Sequence, residues 1–194
     1  ALDFDGDLKW SFETGGPVWA RPTVNEACTC LFVASMDHHV YAIDAHNGEL
    51  LWKSEDLNGA IVGTPAFDHN NTVIVGTFSS EMIALNAETG EISWRFTTEG
   101  WVWSGAVIYQ DNLYFGDLDG YFYSLEAASG KQNWRLQPGG AIVGSPMLQN
   151  DQIVVNTESD TVYFISLDGD VLDSTVVGGT LYAAPYAAGD LILI

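Results

Sequence analysis

Positive charge is nearly missing from this chain. Six Lys and Arg stand against 26 Asp and Glu in 194 residues, a formal net charge of −20. Such a surface repels phosphate backbones and anionic lipid headgroups, so it argues against nucleic acid and anionic membranes as partners. Cations and basic peptides stay compatible with it. The acidic surplus also serves solubility, and adaptation to high salt would give the same bias. Cysteine is scarce too. Cys28 and Cys30, separated only by Thr29, sit too close for an ordinary stapling disulfide, so there is no disulfide framework and no hint of redox compartment. No apolar run approaches the roughly 18 residues of a membrane-spanning helix, and no helical periodicity is present. No signal peptide is visible and the chain does not begin with Met, so it reads as a processed or excised piece.

Apolar residues make up 47% of the chain and aromatics 12%, enough to build a substantial core. They recur on a period of about 40 residues. The clearest copies are Ala42-Ile43-Asp44-Ala45-His46-Asn47-Gly48-Glu49-Leu50-Leu51-Trp52 and Ala84-Leu85-Asn86-Ala87-Glu88-Thr89-Gly90-Glu91-Ile92-Ser93-Trp94. A third runs from Ser124 to Trp134, and the chain opens on a copy one residue shorter, Ala1 to Trp10. Trp10, Trp52, Trp94 and Trp134 are spaced by 42, 42 and 40 residues. A fifth copy, Ser166 to Asp173, keeps Gly169 and puts Asp173 where tryptophan is due. A second motif keeps the same phase: a glycine, an apolar run and usually a proline, as in Gly59-Ala60-Ile61-Val62-Gly63-Thr64-Pro65. Its other copies begin at Gly16, Gly100, Gly140 and Gly179; the copy from Gly100 ends in Ala106 instead of proline.

Such a period in a strand-rich chain means one stacked supersecondary unit. Residues 59–97 show its plan. Ala60 to Phe67, Thr72 to Phe78, Met82 to Asn86 and Glu91 to Thr97 read as four short strands. Asp68-His69-Asn70-Asn71, Ser79-Ser80 and Thr89-Gly90 read as the turns between them. The expected fold is therefore an all-β propeller of four-stranded antiparallel blades. Its units are 1–14 (half), 15–57, 58–98, 99–137, 138–177 and 178–194 (half), about five blades in all. The two half units could complete one another in a closed five-bladed ring. The favoured expectation is a fragment of a seven- or eight-bladed propeller. The strand that begins at each motif glycine is expected innermost, where Ala20, Gly63, Ser104 and Gly144 let backbones approach. The tryptophan is expected outermost, sealing the gap to the next blade with its N–H on a main-chain carbonyl.

These residues resemble the pyrroloquinoline-quinone-like β-propeller repeat family, whose tryptophan-docking motif is Ala-x-Asp-x-x-x-Gly-x-x-x-Trp. Residues 42–52 match every specified position. Residues 84–94 depart at Asn86, and residues 124–134 at Ser124 and Glu126. The resemblance covers essentially the whole chain. It implies an extracytoplasmic, periplasmic bacterial setting and two functional classes. One is quinone-dependent dehydrogenases, with quinone and calcium on the axis. The other is silent propellers that bind proteins, including the outer-membrane assembly lipoprotein type. Ligand-sensing domains of larger receptors also use the repeat. The dehydrogenases grip the quinone with a disulfide of adjacent cysteines, whereas Thr29 separates Cys28 from Cys30 here. The expectation is a non-catalytic scaffold without cofactor that binds a protein or peptide. The alternatives are a piece of a quinone-dependent dehydrogenase or a sensor domain.

The candidate ligand-binding residues are Trp19, Arg21, Trp103 and Tyr182, which with Trp101 mark the inner strands; exposed aromatics at a propeller mouth act as binding anchors. Cys28, Cys30, His46 and His69 fall in turns on one face and form a candidate zinc set, against the plainer reading of four unrelated turn residues. The pattern Asp117-Leu118-Asp119-Gly120 suggests part of a calcium loop but lacks the distal ligands, and hairpin chemistry accounts for it.

Overall fold

The computed structural model describes residues 1–25, 27 and 29–194, and every regular element among them is a β-strand. The first sheet joins β1 (Thr23–Val24), β2 (Cys30–Ala34), β3 (Val40–Asp44) and β4 (Leu50–Lys53). The second joins β5 (Ala66–Asp68), β6 (Thr72–Thr77), β7 (Glu81–Asn86) and β8 (Ile92–Thr97). The third joins β9 (Val107–Tyr109), β10 (Asn112–Gly116), β11 (Phe122–Glu126) and β12 (Gln132–Leu136). The fourth joins β13 (Met147–Gln149), β14 (Gln152–Asn156), β15 (Thr161–Ser166) and β16 (Val171–Val176). Each is an antiparallel meander in sequence order, the up-and-down blade of a propeller. A hairpin of β17 (Tyr186–Ala188) and β18 (Leu191–Leu193) follows, and an isolated Leu2–Leu8 bridge precedes. Neither β17 nor β18 pairs with the first residues, so the ring is not closed between them in this structure.

The inner strands are shorter than their sequence suggests. Residues 60–65 lie outside the sheet ladder, with a bend at Gly63, and ladder pairing starts only at Ala66. The reason is convergence. Inner segments of successive blades approach so closely that a Cβ on Gly63 would lie 2.6 Å from the Ser104 carbonyl oxygen. One inner residue of the second, third and fourth blades instead plugs the gap between blades: Ile61, Val102 and Ile142 are fully buried. Val102 and Ile142 sit over Gly76 and Gly116, where an added Cβ would come within 2.2 and 2.3 Å of their side chains.

The repeat motif explains itself in the geometry. The indole N–H groups of Trp52, Trp94 and Trp134 donate to the carbonyls of Ala87, Ala127 and Leu167 on the following blade, each at 2.9 Å, and Trp10 donates to Ala45 at 3.2 Å. The indole ring lies on the glycine of that next turn. A Cβ on Gly48, Gly90 or Gly130 would meet Trp10, Trp52 or Trp94 at 2.6 Å, and each glycine has positive φ. The motif Asp caps the same turn: Asp44 Oδ1 accepts the amides of His46 and Asn47, and Asn86 Oδ1 those of Glu88 and Thr89. The small first residue lies opposite the tryptophan in the ladder, Ala42 with Trp52, Ala84 with Trp94 and Ser124 with Trp134, just before a bulge. In the fourth blade the sizes are exchanged, with Phe164 opposite Asp173.

The turn between second and third strands is held in two ways. In the third blade the fully buried Asp117 accepts from the Gly100 amide at 3.0 Å, the Tyr121 amide at 2.9 Å and the Tyr123 hydroxyl at 2.8 Å. Asp37 and Tyr41 repeat this pair in the first blade. The second and fourth blades use Thr77 with Ser79 and Thr157 with Ser159.

Two outcomes follow for stability. Gly90→Ala, which must displace the Trp52 indole, loses about 2 kcal/mol or more beyond Gly6→Ala, which carries positive φ but has open space around it. Urea unfolding of the two variants measures the difference; equal losses would show that indole contact contributes nothing. Burial, followed by the hydrogen bond to Asp117, raises the Tyr123 pKa well above the ordinary phenol value of 10.0. The folded state therefore holds this proton more tightly than the unfolded chain. Its contribution is complete below about pH 10 and is lost as pH climbs above it. Tyr123→Phe should lower neutral stability by about 1–2 kcal/mol and flatten that alkaline loss.

Candidate functional site

Inner residues alternate between two environments. Ile61, Val102 and Ile142 face the gaps between blades; their neighbours face the axis. Trp19, Val62, Trp103, Val143 and Tyr182 occupy equivalent positions in five successive units and form one row along an axial groove of about 230 Å³. The row beneath, two residues further along, is Arg21, Thr64, Gly105, Ser145 and Ala184. Here the Gly105 amide donates to the Ser145 hydroxyl at 2.9 Å, tying third and fourth blades across the groove floor.

Three of the four residues anticipated as a ligand site are aromatic, and the groove brings all four together. Trp19 and Tyr182 are each 62% exposed, Trp101 is 52% exposed, and Trp103 is half-buried. Trp103 packs on Trp19 with ring centroids 6.2 Å apart. Arg21 is exposed in the lower row, the single cation of the groove lining.

Phe78 was missed by the sequence reading. It opens the turn that follows β6, stacks on Trp101 at 5.2 Å and 14°, and touches Trp103 at 5.2 Å. Four aromatic rings thus run continuously from Trp19 through Trp103 and Phe78 to Trp101. The signal was a repeat register not followed beyond the two motifs: Met36, Phe78, Leu118 and Glu158 hold one position, each donating its amide to the neighbouring inner segment at Pro17, Ala60, Trp101 or Ala141.

The zinc candidates lie elsewhere. Cys30 opens β2 and packs in the core beside Phe32 and Ala42, and burial pushes its thiol pKa up. His46 is exposed beside Asp44, 3.7 Å away. His69 borders a recess with Asn25, Phe67 and Asn71. Cys28 lies outside the described residues. Among the described residues no group of three or more His, Cys, Asp or Glu could hold a metal ion.

A family model described as outer membrane protein assembly factor BamB matches residues 1–95 and 102–176. The chain belongs to that PQQ-like propeller family. BamB from Legionella pneumophila is 23% identical over 172 residues, 82% of this chain and 44% of that protein. Quinoprotein ethanol dehydrogenase from Pseudomonas aeruginosa is 35% identical over 65 residues, 33% of this chain and 10% of that enzyme. The crystal structure of BamB from Moraxella catarrhalis superposes with a TM-score of 0.83 at 17% identity, covering 96% of this chain and 58% of that one. The chain spans less than half the length of the curated relatives it matches.

Thr29 separates Cys28 from Cys30 in the sequence, and the Cys30 side chain packs in the core between blades.

Proposed function

We propose that this chain is a non-catalytic propeller segment that binds a protein or peptide in its axial groove, in an extracytoplasmic compartment. The observation that carries the reading is the continuous ring row of Trp19, Trp103, Phe78 and Trp101. Large rigid aromatics left exposed on a close-packed scaffold supply contact area at little entropic cost, the usual make-up of a binding hot spot. Family membership supports both the scaffold role and the compartment, since BamB proteins are by name outer membrane assembly factors. A short apolar peptide carrying a fluorophore should bind saturably by anisotropy. Trp103→Ala should weaken it about tenfold while the unfolding midpoint stays near that of the parent. Unchanged affinity in the folded variant would remove the groove from consideration.

The second reading, part of a quinone-dependent dehydrogenase, draws on the matched segment of the quinoprotein ethanol dehydrogenase. Calorimetric titration with pyrroloquinoline quinone, with and without calcium, separates the two. The scaffold reading expects no saturable heat. Calcium-dependent binding near one per chain would make the enzyme reading primary.

A further inference from the structure

Beside the aromatic row lies a second recess, of about 370 Å³, on the face that carries the turns between second and third strands. Ser80, Glu99, Gly100, Trp101, Leu118 and Asp119 line it. One face of the Trp101 indole is covered by Phe78, and the residue is still half exposed, so the opposite side is open. Its backbone is pinned as well: the Leu118 amide donates to the Trp101 carbonyl at 2.9 Å, and Gly100 sits so tightly under the turn that a Cβ there would meet Asp119 Cγ at 2.9 Å. The backbone segments that carry indole and carboxylate are therefore held together before any partner arrives.

The carboxylates around this recess differ in occupancy. Glu99 is taken by Arg135 at 2.5 Å, and Arg135 in turn lies over the Tyr121 ring. Arg95 is shared between Glu81 at 2.8 Å and Glu55 at 3.3 Å, and Lys53 lies over Tyr41. The Arg and Lys side chains of this face are thus already engaged. The Asp119 carboxylate is exposed and has no hydrogen bond or ion pair among the described residues. An open indole face beside an unneutralised carboxylate is the chemistry that holds an ammonium or guanidinium group: the ring quadrupole and the charge attract the same cation.

We propose that the recess between Trp101 and Asp119 receives a lysine or arginine side chain from an extended, basic segment of a partner protein. The occupant follows from charge complementarity with a chain of net charge −20. The proposal rests on the reading of the groove as a binding surface and adds the partner's chemistry to it. The apolar residues of the segment would lie along the ring row while a cationic neighbour enters the recess.

Three capped, labelled peptides of about twelve residues test it by anisotropy: alternating leucine–arginine, leucine–glutamine and leucine–glutamate. The arginine peptide should bind best and the glutamate peptide least. Asp119→Asn should weaken the arginine peptide about three- to fivefold and leave the glutamine peptide unchanged. Trp101→Leu should cost the arginine peptide more than the glutamine peptide. Glu88→Gln, which removes one charge from an exposed turn of the opposite face, should have little effect. An equal loss with Glu88→Gln would show that net charge alone attracts the peptide and would overturn the proposal. Equal binding of the arginine and glutamine peptides would overturn it and leave the groove reading standing. No binding of any peptide would sink both. Asp119→Asn alters an exposed side chain, so the central comparison does not depend on a core substitution.

Discussion

The seating of a tryptophan on a glycine of the next blade is the contact on which this structure depends. A four-stranded blade cannot bury both faces by itself, and its outer strand has no further strand to pair with. The indole of Trp52 or Trp94 closes that outer gap with a ring on a Cβ-less residue and an N–H on a carbonyl. Size, shape and polarity are satisfied by one side chain. The spacing it sets at the rim brings the inner segments together at the axis, where Gly63 and Ser104 nearly touch. Close approach there leaves no room for inner residues to point between blades except at the plugging positions. The alternate residues must face the axis, and the groove is the consequence.

The fourth blade departs from the tryptophan motif at its outer strand. Asp173 stands in the tryptophan position, opposite Phe164 within its own sheet. A link to the fifth unit is made further in, by Asn156 Nδ2 donating to the Ala183 carbonyl at 2.8 Å. Asn156 occupies the position held by Ala34, Gly76 and Gly116 in the earlier blades, where close packing demands a small residue. Its buried Oδ1 has no partner among the described residues.

Function in this family rides on a shared frame. The same repeat matches assembly factors named BamB and quinoprotein dehydrogenases, so the docking tryptophans describe the frame and not the chemistry. The axial lining carries the chemistry of this chain. Aromatic rings line one side, a single arginine stands beneath them, and Glu99 and Asp119 lie in the recess beside them. Rigid blades hold these groups without needing any ligand to organise them, and such preorganisation favours binding.

The blades and their order were legible in the sequence because each depends on short-range rules. Turns need Gly, Asn or Asp at fixed offsets, strands need β-branched and aromatic runs, and the tryptophan recurs with them. Even the partner of each indole could be foreseen, since it lies one repeat away. The inner strands were overextended in that reading because pairing depends on the distance between blades, and the mostly apolar residues 60–65 read as strand whether or not they pair. The ring row was visible in part: Trp19, Trp101 and Trp103 lie on the inner segments, but Phe78 comes from the turn after β6 and joins them only through the crossing of two blades. The fate of Cys30 was likewise open, for a thiol at a strand end faces either solvent or core according to how neighbouring blades close over it. Sequence by itself determined the unit, its period and its sealing contact, all local or one repeat apart. Only the tertiary structure decided which side chains meet on the axis and which carboxylates are left unpaired, because both are set by the angle and distance at which separate blades come together.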